Sequence, residues 1–128
     1  MDQNRYDSGL VKRRKILGDI YVDRALANVT DFNRDFQRLV TEYCRGEAWD
    51  DDTLKPRERS ILNLGMIAAL GKMEEFATHV RGALANGLTS NEIRAVLTQV
   101  AIYCGIPVGV DCFRVAGRIV AEHETNNR

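Results

Sequence analysis

The chain has no apolar run long enough to cross a membrane, for which about 18 consecutive apolar residues are needed. Its first residues are polar and lack the apolar core of a signal peptide. Proline occurs only twice, and strand-like alternation of apolar and polar residues is scarce. We therefore expect a cytoplasmic protein with no membrane partner and little β-structure.

An excess of charge of either sign is also absent. The 18 Lys and Arg residues balance the 18 Asp and Glu residues, which gives a formal net charge of +0. Because nucleic-acid-binding domains usually carry a basic excess, no nucleic-acid partner is expected. The basic run at residues 12–15 is short, and we interpret it as a solvated helix face rather than a phosphate-binding patch.

Cysteine and histidine are both sparse. Cys44, Cys104 and Cys112 are odd in number and widely spaced, which argues against a disulfide framework or a cysteine-bound metal. Their apolar neighbours predict buried, inert thiols in a reducing compartment. His79 and His123 are the only histidines, so a histidine-rich metal site is not expected. P-loop, dinucleotide-binding and nucleophile-elbow motifs are missing as well.

Helical periodicity covers most of the chain. It predicts one all-α domain over residues 1–128, a bundle of five or six helices, with a loop at residues 45–53. The first predicted helix runs from 6 to 17, a short helical turn covers 22 to 27, and a longer helix runs from 30 or 31 to 44. After the loop, helices are predicted from 56 to 70 and between 71 and 87. Another begins at a capping box at 89–92 and ends at 104, and the last begins at 108 and leads into a fraying tail at 122–128.

Apolar residues are abundant for a helical unit of this size. Residues 61–70 are apolar almost all round, so that helix is expected to be buried, either in the domain or between subunits. The helix that begins at 30 or 31 carries a 3.6-periodic apolar stripe: Phe32, Phe36, Leu39, Val40 and Tyr43. A monomer would have difficulty covering these surfaces, so we expect a homo-oligomer with helices packed across subunits.

His79 is the first candidate for chemistry. It shares one helix face with Phe76 and Ala83, so a group that titrates near neutral pH lies on a core-facing stripe. Either a backbone carbonyl satisfies this imidazole or it has a function. Arg81 lies about 200° around the helix and is expected to point away within one subunit. Three polar residues fall near the His79 face by their spacing: Lys72, Glu75 and Asn86.

Two further segments are candidates. Residues 43–49 combine the guanidinium of Arg45, the carboxylate of Glu47 and two large aromatic rings. They suit a small polar pocket and equally a helix end anchored by Trp49. Residues 103–107, from Tyr103 to Pro107, form the other segment. Their glycine and proline allow close backbone approach and expose a helix N-terminus, which favours anions, although ordinary interhelical turns share this pattern.

Several motifs together resemble the carboxymuconolactone decarboxylase family, within the alkylhydroperoxidase D superfamily. They are Tyr-Cys-x-Gly-Glu-x-Trp at 43–49, His-Val-Arg-Gly-Ala-Leu-x-Asn-Gly at 79–87, a long match from 89 to 107 that ends in Tyr-Cys-Gly-x-Pro, and Asp-x-Phe-Arg-Val-Ala at 111–116. The resemblance extends from residue 5 to residue 120. It implies an all-α, alkylhydroperoxidase D-like fold that assembles as trimers or hexamers.

The redox branch of that superfamily carries Cys-x-x-Cys shortly before a histidine that matches His79. Here Lys72 and Glu75 occupy the two cysteine positions, so a dithiol cycle is absent and the decarboxylase branch is favoured. The resemblance then implies decarboxylation of 4-carboxymuconolactone, a small lactone acid, to 3-oxoadipate enol-lactone in aromatic-compound degradation. This substrate supplies its own electron sink, so no cofactor and no metal is expected.

The implied reaction assigns hypothetical roles to the catalytic candidates. His79 would donate the proton or hold the developing oxyanion, and Glu47 would orient His79 or set its protonation state. The substrate-binding candidates are cations for the two carboxylates and aromatic walls for the pocket: Arg81, Arg45, Lys72, Trp49 and Tyr103.

Three alternatives stay open. One is an alkylhydroperoxidase-like redox enzyme that uses a single thiol, Cys44 or Cys104. Another is a non-catalytic helical assembly that binds a small acidic ligand. The third is a related decarboxylase or lactone isomerase that acts on another small acid, since pocket shape decides the substrate.

Overall fold

The computed structural model describes residues 2–127, which divide into two compact units, one up to Pro56 and one from Arg57 onward. These residues contain no β-strand, so the all-α prediction is confirmed. They form more helices than the five or six expected. The first unit contains α1 (Gln3–Leu17), α2 (Asp19–Ala27), α3 (Arg34–Leu39) and a π-helix (Val40–Ala48), and the second contains α4 (Pro56–Leu70), α5 (Met73–Ala85), α6 (Ser90–Cys104) and α7 (Ile106–Asn126).

Local signals set most helix ends. The Asp2 side chain caps α1 by accepting from the backbone N–H of Arg5, so α1 begins earlier than predicted. Gly18 ends α1 with φ of 90°, a backbone conformation that glycine adopts at little cost. The predicted capping box is present, because Thr89 accepts from the N–H of Glu92 and the Glu92 carboxylate accepts from the N–H of Thr89. α7 continues to Asn126, so the prediction that the chain frays from residue 122 is wrong.

The predicted helix from 30 or 31 to 44 is divided. A turn precedes α3, and the π-helix then continues to Ala48, so the predicted loop at 45–53 begins only at Trp49. The wider π-helix buries Thr41, Glu42 and Arg45. Hydrophobic periodicity at 3.6 residues cannot reveal such a change of helix type.

Two glycines allow α1 and the π-helix to approach closely. A Cβ atom on Gly9 would lie 2.0 Å from the carbonyl oxygen of Thr41, and one on Gly46 would lie 2.2 Å from the carbonyl oxygen of Arg5. Backbone atoms cannot shift as a flexible side-chain end can. Both positions therefore require glycine for this helix crossing.

The solvated face predicted for residues 12–15 is wrong for Arg13, which is 5% exposed. Its guanidinium donates to Thr41 Oγ1 at 3.1 Å and to Gln37 Oε1 at 3.3 Å. Arg14 does lie toward solvent, where it pairs with Asp19 and Asp23. The run of basic residues did not indicate that one of its cations is buried, because this burial depends on residues such as Thr41 that are distant in the sequence.

The second unit has a continuous apolar core to which α4, α5, α6 and α7 contribute. Its members are Leu64, Ala68, Phe76, Val80, Ala83, Leu84, Leu88, Ile93, Leu97, Val100, Cys112, Ala116 and Ile119. Gly87 and Gly105 carry φ of 94° and 115° in the turns after α5 and α6, as expected for helix-ending glycines. No helix among residues 2–127 is both long and apolar enough to span a membrane.

Several predicted apolar stripes are exposed in the single chain. Of the residues of α4, only Ser60, Leu64 and Ala68 are buried, while Leu62 and Met66 lie on the exposed side. In the first unit Phe32 is 99% exposed, and Phe36, Leu39 and Tyr43 are exposed as well. Burial of α4 on most sides within the domain is therefore wrong.

Candidate active site

His79 lies in the middle of α5, half-buried, next to the buried Val80 and one turn from the buried Phe76. The prediction that it lies at the core-facing stripe is borne out by these two neighbours. His79 is thus partly accessible from outside, as contact with a ligand requires. A fully buried core histidine would lack this access.

The polar residues predicted near His79 lie at the two ends of α5. Lys72 is exposed at the N-cap, and Glu75 is exposed in the first turn. Asn86 follows the last turn, and its Nδ2 donates to Oγ of the buried Ser60 at 3.0 Å, linking α5 to α4. Asn86 therefore has a structural role, whereas Lys72 lies where an anion from outside can reach it.

Arg81 points away from the core face of α5, as predicted. It is exposed and pairs with Glu122 of α7 at 3.8 Å, with both side chains largely in solvent. Such a loose surface pair is worth little, so it competes weakly with a bound carboxylate.

Tyr103 is 82% exposed near the end of α6. It borders an apolar groove of about 470 Å³ along α4 and α6. The lining residues are Ile61, Leu62, Gly65, Met66, Ala69, Val96, Gln99, Val100, Tyr103 and Cys104. This lining includes no charged side chain, so the groove by itself does not suit a substrate with two carboxylates.

The prediction of three buried cysteines is confirmed only for Cys112. Burial raises the pKa of the Cys112 thiol, and the nearby Asp111 and Cys104 raise it further. Cys44 and Cys104 are exposed in the single chain, which corrects the prediction for these two. Cys44 lies on the π-helix and Cys104 ends α6, so apolar sequence neighbours did not guarantee burial.

Arg45 and Trp49 form one stacked pair. The Arg45 guanidinium lies 4.9 Å from the centroid of the Trp49 ring, and both residues are buried. The π-helix carries Arg45, and Trp49 follows immediately, its backbone N–H donating to the carbonyl of Cys44 at 3.1 Å. Arg45 is therefore not a solvated cation, and the Trp49 anchor of the helix end is present.

Glu47 is 59% exposed on the last turn of the π-helix, with Oε2 lying 3.6 Å from Nη1 of Arg5. The same Arg5 nitrogen lies 3.8 Å from the buried Glu42, and its guanidinium lies 5.3 Å from the Tyr43 ring centroid. Sequence reasoning missed Arg5 and Glu42, because no local pattern signals a pairing between α1 and the π-helix.

The candidates thus fall into two groups. Arg45, Glu47 and Trp49 belong to the π-helix segment of the first unit, whereas the candidates of the second unit are His79, Arg81, Lys72 and Tyr103. The orientation of His79 by Glu47 stays a prediction. Residues 2–127 hold no group of three or more His, Cys, Asp or Glu side chains placed to bind a metal ion.

Comparison with known proteins matches residues 34–117 to the carboxymuconolactone decarboxylase family. The chain belongs to this family. The matched segment contains every candidate site residue, and the predicted resemblance is confirmed. The 4-carboxymuconolactone decarboxylase of Acinetobacter baylyi is 32% identical over 118 residues, which is 92% of this chain and 88% of that protein.

Two other relatives add to the comparison. A nitrosuccinic acid decarboxylase of Metarhizium robertsii is 37% identical over 115 residues, covering 90% of this chain and 80% of that protein. A 4-carboxymuconolactone decarboxylase of Pseudomonas putida is 44% identical over 46 residues, covering 36% of this chain and 96% of that sequence. All three relatives are named decarboxylases, but their names give two different substrates.

Proposed function

We propose that this chain is a carboxy-lyase that removes CO₂ from 4-carboxymuconolactone and yields 3-oxoadipate enol-lactone. The observation that carries the proposal is the similarity to the Acinetobacter baylyi enzyme along 92% of the chain. The half-buried His79 on α5 supports it, because a proton donor is what this reaction needs from the protein.

The chemistry explains why no cofactor is needed. The leaving carboxylate is attached to the γ-carbon of an unsaturated lactone. When the bond to CO₂ breaks, its electron pair spreads through the C=C bond onto the lactone carbonyl oxygen as a dienolate. A proton delivered to the α-carbon then completes the enol-lactone. The protein has to bind two carboxylates, stabilise the dienolate oxygen and supply the proton.

His79 is the proposed proton donor or oxyanion holder, and Glu47 is the proposed residue that orients it. Lys72 and Arg81 are exposed cations on and beside α5, which suits carboxylate binding. Arg45 is buried against Trp49, which supports a role in the wall of the pocket more than direct binding of a substrate carboxylate. Tyr103 is proposed as a further wall.

A homo-oligomer, a trimer or hexamer in the cytoplasm, is part of the proposal. The exposed side of α4 and the uncharged groove along α4 and α6 support it, since exposed apolar areas of this kind usually mark an interface. Light scattering on the purified protein tests the assembly. Met66→Glu is expected to shift it toward monomer, whereas Glu124→Lys, at an exposed α7 position, is the control.

The 37% identity to a nitrosuccinic acid decarboxylase favours a second candidate, decarboxylation of a nitro-substituted dicarboxylic acid. The two substrates share one chemical principle. In each, loss of CO₂ leaves an electron pair on the carbon that carried the carboxylate, and another group of the substrate accepts that pair. The acceptor is the unsaturated lactone in 4-carboxymuconolactone and the nitro group in the nitro-substituted acid. The same proton donor and cations would serve both reactions, so pocket shape decides between them.

The test is to offer both acids to the purified protein and to measure CO₂ release. Preference for 4-carboxymuconolactone in kcat/KM supports the main proposal, and the reverse preference assigns the second candidate. If the folded and assembled protein turns over neither acid, both candidate functions are overturned.

A further inference from the structure

We propose that a cavity in the first unit is a binding site for a small oxyanion, a carboxylate or a phosphate. The cavity has a volume of about 260 Å³. It is lined by Tyr6, Leu26, Val29, Arg34, Gln37, Arg38 and Thr41. None of these residues is among the candidate catalytic or substrate-binding residues, so the site is independent of the proposed reaction.

The first observation is a buried guanidinium behind the cavity wall. Arg13 is 5% exposed, and its hydrogen bonds go to Thr41 Oγ1 and Gln37 Oε1, both neutral acceptors that line the cavity. Its Nε has no hydrogen-bond partner. Within the described part of the first unit, no carboxylate lies within ion-pair distance of Arg13. Buried charges are normally compensated by an opposite charge, whereas the acceptors of the Arg13 guanidinium are both neutral.

The second observation is that these two neutral acceptors, Thr41 and Gln37, themselves line the cavity. The Thr41 hydroxyl accepts from Arg13 and donates to the backbone carbonyl of Gln37 at 3.0 Å. The Gln37 amide oxygen accepts from Arg13, which leaves the NH₂ group of this cavity-lining residue as a donor. A donor polarised by a buried cation favours an anionic acceptor.

The third observation is that two more guanidinium groups line the same cavity. Arg34 and Arg38 lie four residues apart on α3 and so share one helix face. Arg38 lies 4.5 Å from the Tyr6 ring centroid and donates to the Gln3 side chain, which fixes its plane. Arg34 pairs with the exposed Asp31, outside the lining. The lining itself includes these two guanidinium groups and no acidic residue.

The size of the cavity and the shape of its donors define the ligand class. A volume of about 260 Å³ is small for a drug-sized or cofactor ligand, for which about 300–1,000 Å³ is usual. Guanidinium groups bind planar carboxylates and tetrahedral phosphates through paired N–H donors. A free carboxylic acid and inorganic phosphate are therefore two sources of the same ligand chemistry.

The experiment measures thermal unfolding and calorimetric binding with inorganic phosphate and, separately, with malonate, against NaCl at equal ionic strength. We expect a saturable rise in Tm above the NaCl reference with at least one of the two anions. Stabilisation by phosphate alone or by malonate alone identifies the source. Equal behaviour of both anions and NaCl overturns the proposal.

Variants locate the binding, because a dicarboxylate can also enter the proposed active site. Arg34→Gln and Arg38→Gln are expected to weaken anion binding at least tenfold, which is about 1.4 kcal/mol. Arg118→Gln, at an exposed position of α7, is the matched control and should bind as the wild type does. Unchanged affinity in both α3 variants overturns the site, even if the wild type binds an anion, and leaves the proposed decarboxylation untouched.

Discussion

Arg5 Nη1 lies 3.6 Å from Glu47 Oε2, so α1 supplies the cation that faces the proposed orienting carboxylate. The same nitrogen lies 3.8 Å from Glu42, which is 3% exposed. The Arg5 guanidinium thereby pairs with two carboxylates of the same π-helix, one buried and one exposed. Its position depends on the close crossing of α1 and the π-helix at Gly9 and Gly46.

Replacement of Arg5 by Met is expected to destabilise the protein by about 1–3 kcal/mol, because the buried Glu42 loses its cation. Urea denaturation measures the change. Arg114→Met is the matched control, since Arg114 pairs with Asp111 at an exposed position and its loss should cost under about 1 kcal/mol. Equal destabilisation by the two substitutions contradicts the role given to Arg5.

The helix crossing itself is testable with Gly9→Ala. The added Cβ would lie 2.0 Å from the Thr41 carbonyl oxygen, so we expect a loss of at least about 1–3 kcal/mol in the free energy of unfolding. Gly117→Ala is the control, because nothing lies within 4 Å of a Cβ there and alanine favours the helix by about 0.5–1 kcal/mol. If Gly9→Ala is as stable as Gly117→Ala, the two helices do not approach as described.

Features fixed by neighbouring residues were predictable from the sequence. The capping box at Thr89 and the turns at Gly87 and Gly105 follow from local chemistry, and the core face of α5 follows from the period that unites Phe76 with His79. Local chemistry cannot show which distant residue covers a side chain. The exposure of the predicted stripes could not be foreseen for the same reason.

The same distinction applies to the candidate site. His79 was found from periodicity and from the family resemblance, both of which are contained in one stretch of sequence. The burial of Arg13 and the contacts of Arg5 depend on pairing between α1 and the π-helix, across more than twenty intervening residues in each case. Only a folded chain reveals such pairs, so the sequence did not show that Arg13 is buried next to two residues that line the proposed anion site.

Stability at low pH should depend on Glu92. Its carboxylate accepts from Arg57 and from the backbone N–H of Thr89, and these hydrogen bonds lower its pKa from 4.5 to about 2. Since the folded-state pKa is depressed, this contribution is complete above about pH 4.5 and is lost as pH falls toward 2. The difference in free energy of unfolding between wild type and Arg57→Gln should therefore shrink from pH 5 to pH 2, roughly the interval between the two pKa values. A difference that stays constant contradicts the assignment.

Decarboxylation should not require a thiol. Cys112 is buried and its pKa is raised, so it holds little of the nucleophilic thiolate at neutral pH. The double substitution Cys44→Ser with Cys104→Ser removes both exposed thiols, and we expect turnover of the preferred acid to stay at the wild-type level. Loss of turnover in a folded double variant, or peroxide consumption that disappears with the two thiols, would instead support the single-thiol redox alternative.

His79→Ala is expected to lower turnover by about 10²–10⁴-fold, the usual contribution of a general acid or base. His79 is only half-buried and is not a member of the apolar core, so circular dichroism and light scattering should show that the variant keeps its fold and assembly. His123→Ala is the matched control: His123 lies near the end of α7, within 3.0 Å of the Asn127 side chain, and its loss should leave turnover unchanged. A folded His79→Ala protein with wild-type kcat removes the proposed proton donor. Equal losses in the two variants would show that the effect is not specific to α5.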